Sequence, residues 1–266
     1  MYNHFVKSDL IEMLRYRRPA GSYSEQAFVD RFIIDYLERH DRVYVEDAYG
    51  NIKVDVGNPT TLFSCHTDTC EQEPGMRPEV LEFEGEIYTF DEILGADDGA
   101  GVLVLLHMIE NEVPGRYVFH RAEEIGMRGA RFSVANNNWH EGIRLAVAFD
   151  RRGTHDVVIV QMGIQMLDGV RAGRMIDALG RYEGKKFHTA IGSYTDVAVY
   201  FDKIGSCMNI SVGYDNEHTD QETLNLDYLD WLMGRVIDID WDFISGARKP
   251  QTLGEAYALW DARDRR

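Results

Sequence analysis

Several short apolar segments of this sequence run directly into histidine or carboxylate residues. The segment TTLFSCHTD ends with His66 and Asp68, RYVFHRA is followed by Glu123 and Glu124, and RLAVAFD ends in Asp150. Apolar runs of this length, bounded by polar residues, predict buried strands. In open α/β sheets the carboxyl ends of the strands form one edge, and functional sites lie there. The pattern therefore predicts a sheet that brings these polar side chains together.

Two further residues of metal-binding type belong to the same pattern. Asp97 precedes the apolar, helical segment AGVLVLLHMIENE, and His218 follows the strand-like CMNISVG after a short polar loop. Carboxylates that are brought close together repel one another, and loss of solvent makes this worse. Divalent cations remove the conflict, and a mixture of imidazole and carboxylate suits zinc. Two such ions, roughly 3.5–4 Å apart, need a bridging carboxylate.

Strand-like and helical patterns alternate along the chain. VYVEDAYGNIKVDV is typical of a hairpin, Ser24 precedes the amphipathic EQAFVDRFIIDYLERH as a helix cap, and LNLDYLDWLMGRVIDIDWDFI predicts one long amphipathic helix. The tail LGEAYALWDARDRR is interpreted as one more helix or a partly frayed end. This alternation predicts an α/β fold, a three-layer sandwich with a central mixed, largely parallel sheet. No repeat or linker is visible, so residues 1–266 are expected to form a single domain.

Charge and cysteine content restrict the partners and the compartment. The formal net charge of −17 opposes nucleic acid or an anionic membrane as a partner. The sequence contains no run of 18 apolar residues, and its first residues lack the layout of a secretory signal. Three cysteines, an odd number, fit a reducing compartment better than a disulfide framework. We therefore expect a cytoplasmic protein without membrane spans.

Five motifs between residues 60 and 225 occur in an order that resembles the co-catalytic dizinc exopeptidase superfamily. This superfamily includes single-domain aminopeptidases and two-domain carboxypeptidases, tripeptidases and deacylases. The motifs are Ser64-Cys65-His66-Thr67-Asp68, Leu94-Gly95-Ala96-Asp97-Asp98-Gly99, Ala122-Glu123-Glu124-Ile125-Gly126, Ala148-Phe149-Asp150 and Asn216-Glu217-His218-Thr219. Each motif alone is weak, but five in the same order are a specific signal.

The resemblance implies a role for each matching residue. Asp97 would bridge two divalent metal ions, with zinc the expected metal. His66 and Asp150 would complete one metal position, and Glu124 and His218 the other. Asp68 would orient the His66 imidazole. Glu123 would act as the general base, taking a proton from a hydroxide-forming water between the metals and passing it to the leaving amine.

Two departures favour the single-domain aminopeptidases within that superfamily. The two-domain members carry lysine two residues after the bridging aspartate, where this chain has Gly99. Only 67 residues separate Asp150 from His218, whereas the two-domain members insert a lid or dimerisation domain of about a hundred residues there. We therefore expect no lid domain. An oxyanion donor must then come from elsewhere, with Tyr194, Tyr214 and Arg151 as candidates.

Other functions stay open at this stage. A deacylase or a carboxypeptidase could use Arg151 or Arg152 to hold a substrate carboxylate. A one-metal glutaminyl cyclase and a catalytically inactive metal-binding recognition module are further alternatives. The expected substrate is a peptide or small amide, and association into a homo-oligomer that restricts access to the site is a further expectation. Asp97 is preferred to Asp98 only by the family register, and Asp196 and Asp220 are interpreted as caps or surface charges.

Overall fold

The apolar runs of the sequence form the middle of a nine-stranded sheet in a computed structural model, which describes residues 7–247. The strands are β1 Tyr16–Arg17, β2 Tyr44–Glu46, β3 Ile52–Val56, β4 Thr61–His66, β5 Gly75–Met76, β6 Leu81–Phe83, β7 Glu86–Tyr88, β8 Gly115–His120, β9 Leu145–Arg151, β10 Asp156–Gln161, β11 Ile164–Gln165, β12 Arg181–Tyr182, β13 Lys185–Lys186, β14 His188–Gly192, β15 Cys207–Ser211, β16 Tyr214–Asp215 and β17 Thr223–Asn225.

The helices connect these strands and cover the sheet. They are α1 Lys7–Leu14, α2 Tyr23–Phe28, α3 Asp35–Arg39, α4 Ala96–Glu110, α5 Arg128–Asn136, α6 Gly169–Leu179, α7 Asp196–Val199, α8 Phe201–Ile204, α9 Leu226–Val236 and α10 Trp241–Ser245. A π-helical segment, Val29–Ile34, joins α2 to α3.

The central sheet is mixed, with parallel pairing at its centre. Its order is β11-β10-β15-β9-β4-β8-β3-β2, and β14 pairs with β10. The four neighbours β15, β9, β4 and β8 are mutually parallel, whereas β3 and β2 on one side and β10 and β11 on the other join in antiparallel fashion. The carboxyl ends of β4, β8 and β9 therefore meet at one edge, as the sequence predicted.

Helices pack on both faces of this sheet and make three layers. On one face α4 lies against β4 and β9 and is itself covered by α1 and α9. On the other face α7 contacts β4, β9 and β15, and α5 packs on α7. Alternation along β4 follows from the period of two in a strand: Phe63 belongs to the core beside α4, while Leu62 belongs to the opposite core. The predicted α/β sandwich is confirmed.

The segment between Asp150 and His218 is part of the sheet. It supplies β10, β14 and β15, and its helices α6 and α7 pack on strands of the same sheet. These residues all lie within the described range, and they form no separate lid domain. Four further strands, β16, β17, β7 and β6, make a small antiparallel sheet. In the chain, β6 and β7 precede Asp97, and β16 and β17 lie on either side of His218.

Two local predictions are wrong. Helix α2 is capped by Ser22, whose Oγ accepts the Glu25 N–H at 3.1 Å, while the Ser24 hydroxyl donates to the Arg17 carbonyl instead of capping the helix. The predicted single C-terminal helix is split, because Asp240 caps a new helix by accepting the Phe243 N–H at 2.8 Å.

Other local predictions are confirmed or lie outside the described residues. The hairpin forms as predicted, with Tyr44 opposite Val54. The tail helix lies outside the described residues. Among residues 7–247, no helix is both long and apolar enough to cross a membrane.

Candidate metal centre

The seven residues predicted for the site lie together at the carboxyl ends of the central strands. Five of them line a pocket of about 130 Å³: His66, Asp97, Glu123, Asp150 and His218. Glu124 lies beside His218, with Oε1 2.9 Å from the imidazole Nε2. Asp68 lies beneath the pocket, where its carboxylate accepts the backbone N–H groups of Glu123 and Glu124 at 2.9 and 3.1 Å. The residues that the strand-end pattern predicted therefore lie in one site.

Asp97 stands between two groups of metal-ligand side chains. Its Oδ1 lies 3.1 Å from His66 Nε2, and its Oδ2 lies 3.1 Å from His218 Nε2. His66 Nε2 is also 3.6 Å from Asp150 Oδ1, and the ligand atoms of His66, Asp97 and Asp150 all lie within 4.8 Å of one another. One carboxylate therefore offers one oxygen to each group, which is the geometry a bridging ligand requires.

The donor set fits divalent cations. Glu124 Oε1 is buried and accepts no hydrogen bond from any described residue, although His218 Nε2 lies close to it. Asp150 and Glu123 are crowded by other carboxylates, and burial first and those charges second raise the pKa of Asp150 to about 7. A buried array of like charges with an orphaned oxygen is stabilised when a cation enters it. Histidine and carboxylate together suit zinc.

Protons hold this cluster together when no metal is bound. The carboxylates of Asp97 and Glu124, 3.1 and 2.9 Å from His218 Nε2, raise the pKa of that imidazole to about 11. Burial lowers the pKa of His66, but the nearby carboxylates of Asp150, Asp68 and Asp97 outweigh burial and raise the pKa well above its ordinary value. Burial raises the pKa of Asp97, yet the two histidines outweigh it and lower that pKa.

Metal binding is therefore expected to release protons. An imidazole must be neutral to bind a metal ion, whereas His66 and His218 are both protonated near pH 7 in the metal-free cluster. We expect at least two protons released per chain at pH 7, one from each histidine and a further fraction from Asp150, whose pKa is about 7. Metal affinity should rise with pH, because fewer protons then need to be displaced. Zinc titration by calorimetry in two buffers of different ionisation enthalpy measures that number. Heats of binding that are identical in both buffers would contradict the release of protons.

Asp97 and Asp98 differ in what their carboxylates contact. The Asp98 carboxylate accepts the backbone N–H groups of His66 at 3.2 Å and Gly101 at 2.9 Å, and it is fully buried. A Cβ at Gly101 would lie 2.4 Å from that carboxylate and 2.2 Å from the Phe149 carbonyl, so only glycine fits there. Asp98 thus ties the start of α4 to β4, while Asp97 faces both groups of ligands.

Asp68 contacts His66 most closely through its backbone carbonyl. The His66 Nδ1 lies 3.0 Å from the backbone carbonyl of Asp68 and 3.5 Å from its carboxylate Oδ1. The carboxylate is instead held by the N–H groups of Glu123 and Glu124. Asp68 therefore fixes both the imidazole, through its main chain, and the turn that carries the two glutamates, through its side chain.

Glu123 lines the pocket next to the ligand groups and is only partly exposed. Burial raises its pKa to about 8, and the negative charges of Asp150, Glu124 and Asp97 add to that effect against the opposing influence of His66. Cations bound beside it would lower this pKa. A carboxylate whose pKa lies near the working pH suits proton transfer in both directions.

The three oxyanion candidates have different surroundings. The Tyr214 hydroxyl donates to Asp150 Oδ1 at 3.0 Å, and Arg151 is held by Asp156 through two hydrogen bonds of 2.9 and 2.7 Å. Tyr194 lines the pocket and is 39% exposed. Of the three, Tyr194 has the side chain most free to meet a substrate.

Sequence reasoning missed two acidic residues of this region. Asp196 is not a surface charge: it is 2% exposed, and neither carboxylate oxygen has a hydrogen-bond partner among the described residues. Burial, followed by the charge of Glu123, raises its pKa well above the ordinary value. Glu222 accepts the N–H groups of Gly95 at 2.8 Å and Asp97 at 3.0 Å and so fixes the backbone that carries the bridging carboxylate. Neither residue lies in a pattern that distinguishes it from other acidic residues.

Comparison with known proteins places the chain in one family. The sequence matches the family model described as Peptidase family M28 over residues 50–231. No curated protein matches the sequence.

Solved structures share the fold at low sequence identity. The Pyrococcus horikoshii TET1 peptidase is 16% identical over 85% of this chain and 96% of its own, with a TM-score of 0.66. An aminopeptidase from the archaeon Desulfurococcus kamchatkensis is 15% identical over 92% of this chain and 99% of its own, with a TM-score of 0.66. The Porphyromonas gingivalis glutaminyl cyclase is 18% identical over 86% and 93%, with a TM-score of 0.56.

Proposed function

This chain belongs to peptidase family M28, a family of metal-dependent peptidases, and we propose that it is a two-metal zinc aminopeptidase that removes an amino-terminal residue. One observation carries the proposal. A carboxylate, Asp97, offers one oxygen to each of two groups of metal-ligand side chains, and Glu123 lines the same pocket without belonging to either group. A site that only stored metal would have no use for that separate, partly buried carboxylate.

Each ligand has an assigned place in this proposal. His66, Asp150 and Asp97 would hold one ion, and Glu124, His218 and Asp97 the other. The bound ions would supply electrostatic polarisation of the scissile carbonyl and of a water molecule. The remaining residues keep these ligands in position: the Asp68 carbonyl faces His66 Nδ1, and the Tyr214 hydroxyl donates to Asp150.

Glu123 would move the proton in the reaction. Its carboxylate accepts a proton from the attacking water and then donates it to the nitrogen of the leaving amine, so that the base is restored after each turnover. Asp68 supports this step, because its carboxylate fixes the backbone N–H groups of Glu123 and Glu124. The general base is thereby held on the same turn as a metal ligand.

The surroundings of Glu217 favour a substrate with a free amino terminus. Glu217 lines the pocket, and its Oε1 accepts a hydrogen bond of 3.1 Å from Arg152 Nη1. Its Oε2 is buried and has no hydrogen-bond partner among residues 7–247. A buried carboxylate oxygen without a donor is an acceptor for a protonated amine that enters the pocket. The preference for aminopeptidase activity rests on this oxygen and on the absence of a lid between residues 150 and 218.

A pair of peptide substrates tests the proposal. Zinc-loaded protein should hydrolyse a peptide with a free amino terminus and fail on the same peptide after N-acetylation, since acetylation removes the charge that Glu217 would bind. Chromatography of the reaction products measures release of the amino-terminal residue. Cleavage of the acetylated peptide alone would replace the aminopeptidase by a deacylase or carboxypeptidase.

The variant Glu217→Gln is expected to lose about 10- to 100-fold in kcat/KM on the free peptide, which corresponds to one charge-assisted hydrogen bond. Arg152→Gln is the matched control, because it removes the partner of the same ion pair and keeps the carboxylate. Equal losses in the two variants would show that the ion pair, rather than amine recognition, matters.

The alternatives are less well supported by the contacts of this site. A carboxypeptidase needs a free arginine for the substrate carboxylate, but Arg151 is engaged by Asp156, and Arg152 is paired with Glu217. A recognition module without catalysis would need neither Glu123 nor the support that Asp68 gives it. The likeness to a glutaminyl cyclase extends to the fold, and two ligand groups joined by Asp97 favour two metals over one.

Three broader expectations stay predictions. The TET1 peptidase of similar fold assembles into a tetrahedron or a large octahedral shell, and we propose that this chain also forms a homo-oligomer. We further propose that residues 1–266 act as one catalytic domain and that the protein works in the cytoplasm. The mass of the particle in light scattering tests the first of these.

A further inference from the structure

Cys70 differs from the other two cysteines in its surroundings. Cys65 and Cys207 are buried in the central strands β4 and β15, whereas Cys70 is exposed on the loop that follows β4. That loop also carries Asp68, so it begins at the candidate metal centre. The position of Cys70 therefore brings a thiol to the rim of the site.

The loop is tied down on both sides of this thiol. Thr69 donates its N–H to the Arg18 carbonyl and accepts the Arg18 N–H at its hydroxyl, both at 2.9 Å. On the other side, Glu71 forms an ion pair with Arg77. Arg18 and Arg77 are themselves fully buried. The backbone on either side of Cys70 is thus anchored to the interior, and the exposed thiol is held in a defined place.

Cys70 belongs to a group of three metal-ligand side chains. Its Sγ, a carboxylate oxygen of Glu124 and an imidazole nitrogen of His218 all lie within 4.8 Å of one another. Ligand atoms around one tetrahedral zinc ion lie roughly 3.5 Å apart, which follows from bond lengths of about 2.0–2.3 Å. Adjustments of about 1 Å in side chains would bring the three atoms onto one ion.

A second observation marks this group as a ligand site. The Glu124 side chain is only 8% exposed, and its Oε1 has no hydrogen-bond donor in the described part of the chain. His218 Nε2 lies 2.9 Å from this oxygen and 3.1 Å from Asp97 Oδ2. A buried oxygen of this kind is stabilised by a cation, and the Cys70 thiol lies within 4.8 Å of the ligand atoms of Glu124 and His218.

We propose that Cys70 is an additional ligand of the metal position formed by Glu124, His218 and Asp97. This inference rests on the proposed two-metal function. It makes the two positions unequal: the one at His66 and Asp150 keeps three protein ligands, and the one at Cys70 has four. Thiolate is a soft ligand, so the position at Cys70 selects zinc, cobalt or cadmium over magnesium and manganese.

Cobalt substitution of the purified full chain tests the assignment. We expect two Co²⁺ per chain and a near-ultraviolet sulfur-to-cobalt charge-transfer band that is absent from Cys70→Ser. In that variant the affinity of the ion held at the Cys70 position should fall by about 10- to 100-fold or more, since a loss of that size is seen even for groups that only support a ligand. Cys207→Ser is the matched control, since this buried thiol lies in β15, and it should keep the band.

Thiol alkylation gives an independent readout. In chelator, Cys70 should be the only thiol that reacts in the folded protein, and zinc should slow that reaction. Two cobalt ions without the charge-transfer band, or a band that persists in Cys70→Ser, would overturn the assignment and leave the two-metal function intact. A chain that binds fewer than two cobalt ions and shows no band would overturn both.

Discussion

Replacing Glu123 by glutamine is expected to lower kcat by about 10²–10⁴-fold while both metals stay bound. Glutamine keeps the shape of the side chain and cannot accept the proton from water. The metal-ligand groups contain Glu124, His218, His66, Asp97 and Asp150 but not Glu123, so the ligand set is unchanged. Metal content per chain, measured beside turnover of a free-amino-terminal peptide, separates the loss of the base from the loss of metal.

The adjacent residue supplies the matched control. Glu124→Gln removes a metal ligand from the same turn, so it should lower the metal content to about one per chain as well as the rate. Unchanged turnover in Glu123→Gln would remove Glu123 from the mechanism. Loss of metal in Glu123→Gln would mean that the two glutamates have been assigned in the wrong order.

The strand-end pattern predicted most of the site, for a reason that lies in sheet geometry. His66 and Asp150 lie at the carboxyl ends of β4 and β9, and the two glutamates follow β8. Parallel pairing of these three strands brings their carboxyl ends to one edge. No detail of side-chain packing is needed for that conclusion. The order of the strands was enough to bring ligand types within a few Å of one another.

What the sequence did not predict depends on contacts between distant parts of the chain. Ser22 and Ser24 both suit a helix cap, and the choice is made because the Ser24 hydroxyl meets the Arg17 carbonyl. The apolar period continues through Ile237 and Ile239, but α9 ends at Val236 and the Asp240 cap starts α10 at Trp241. Local pattern cannot distinguish such cases, because the competing contacts are tertiary.

The buried acidic residues show the same limit within the site. The sequence suggests a cap or a surface charge at Asp196, but α7 packs on β4, β9 and β15 and takes the carboxylate into the interior. Glu222 reaches the backbone of Gly95 and Asp97 from more than a hundred residues away. Cys70 was visible in the sequence beside the His-x-Asp motif, but its closeness to His218 was not.

The variant Asp97→Asn is expected to reduce the metal content from two per chain to well below one, the largest effect of any single substitution at this site. An amide has one weakly basic oxygen and no charge, so it cannot give an anionic oxygen to each of two cations. Asp150→Asn and Glu124→Gln should each retain about one metal, because each removes a ligand from one position only. Elemental analysis after zinc reconstitution measures these contents.

The neighbouring carboxylate makes this test specific. Asp98 is bonded to the N–H groups of His66 and Gly101, so Asp98→Asn should leave both metals bound and cost about 1–3 kcal/mol in the free energy of unfolding. The expected outcome is therefore a reversal between adjacent residues: Asp97→Asn loses metal and keeps its fold, whereas Asp98→Asn loses stability and keeps its metal. Two metals in Asp97→Asn, together with none in Asp98→Asn, would assign the bridge to Asp98. Thermal melting of both metal-free variants distinguishes loss of a ligand from loss of the fold. If Asp97 is the bridging carboxylate, the Asp97→Asn protein stays folded although it has lost its metal.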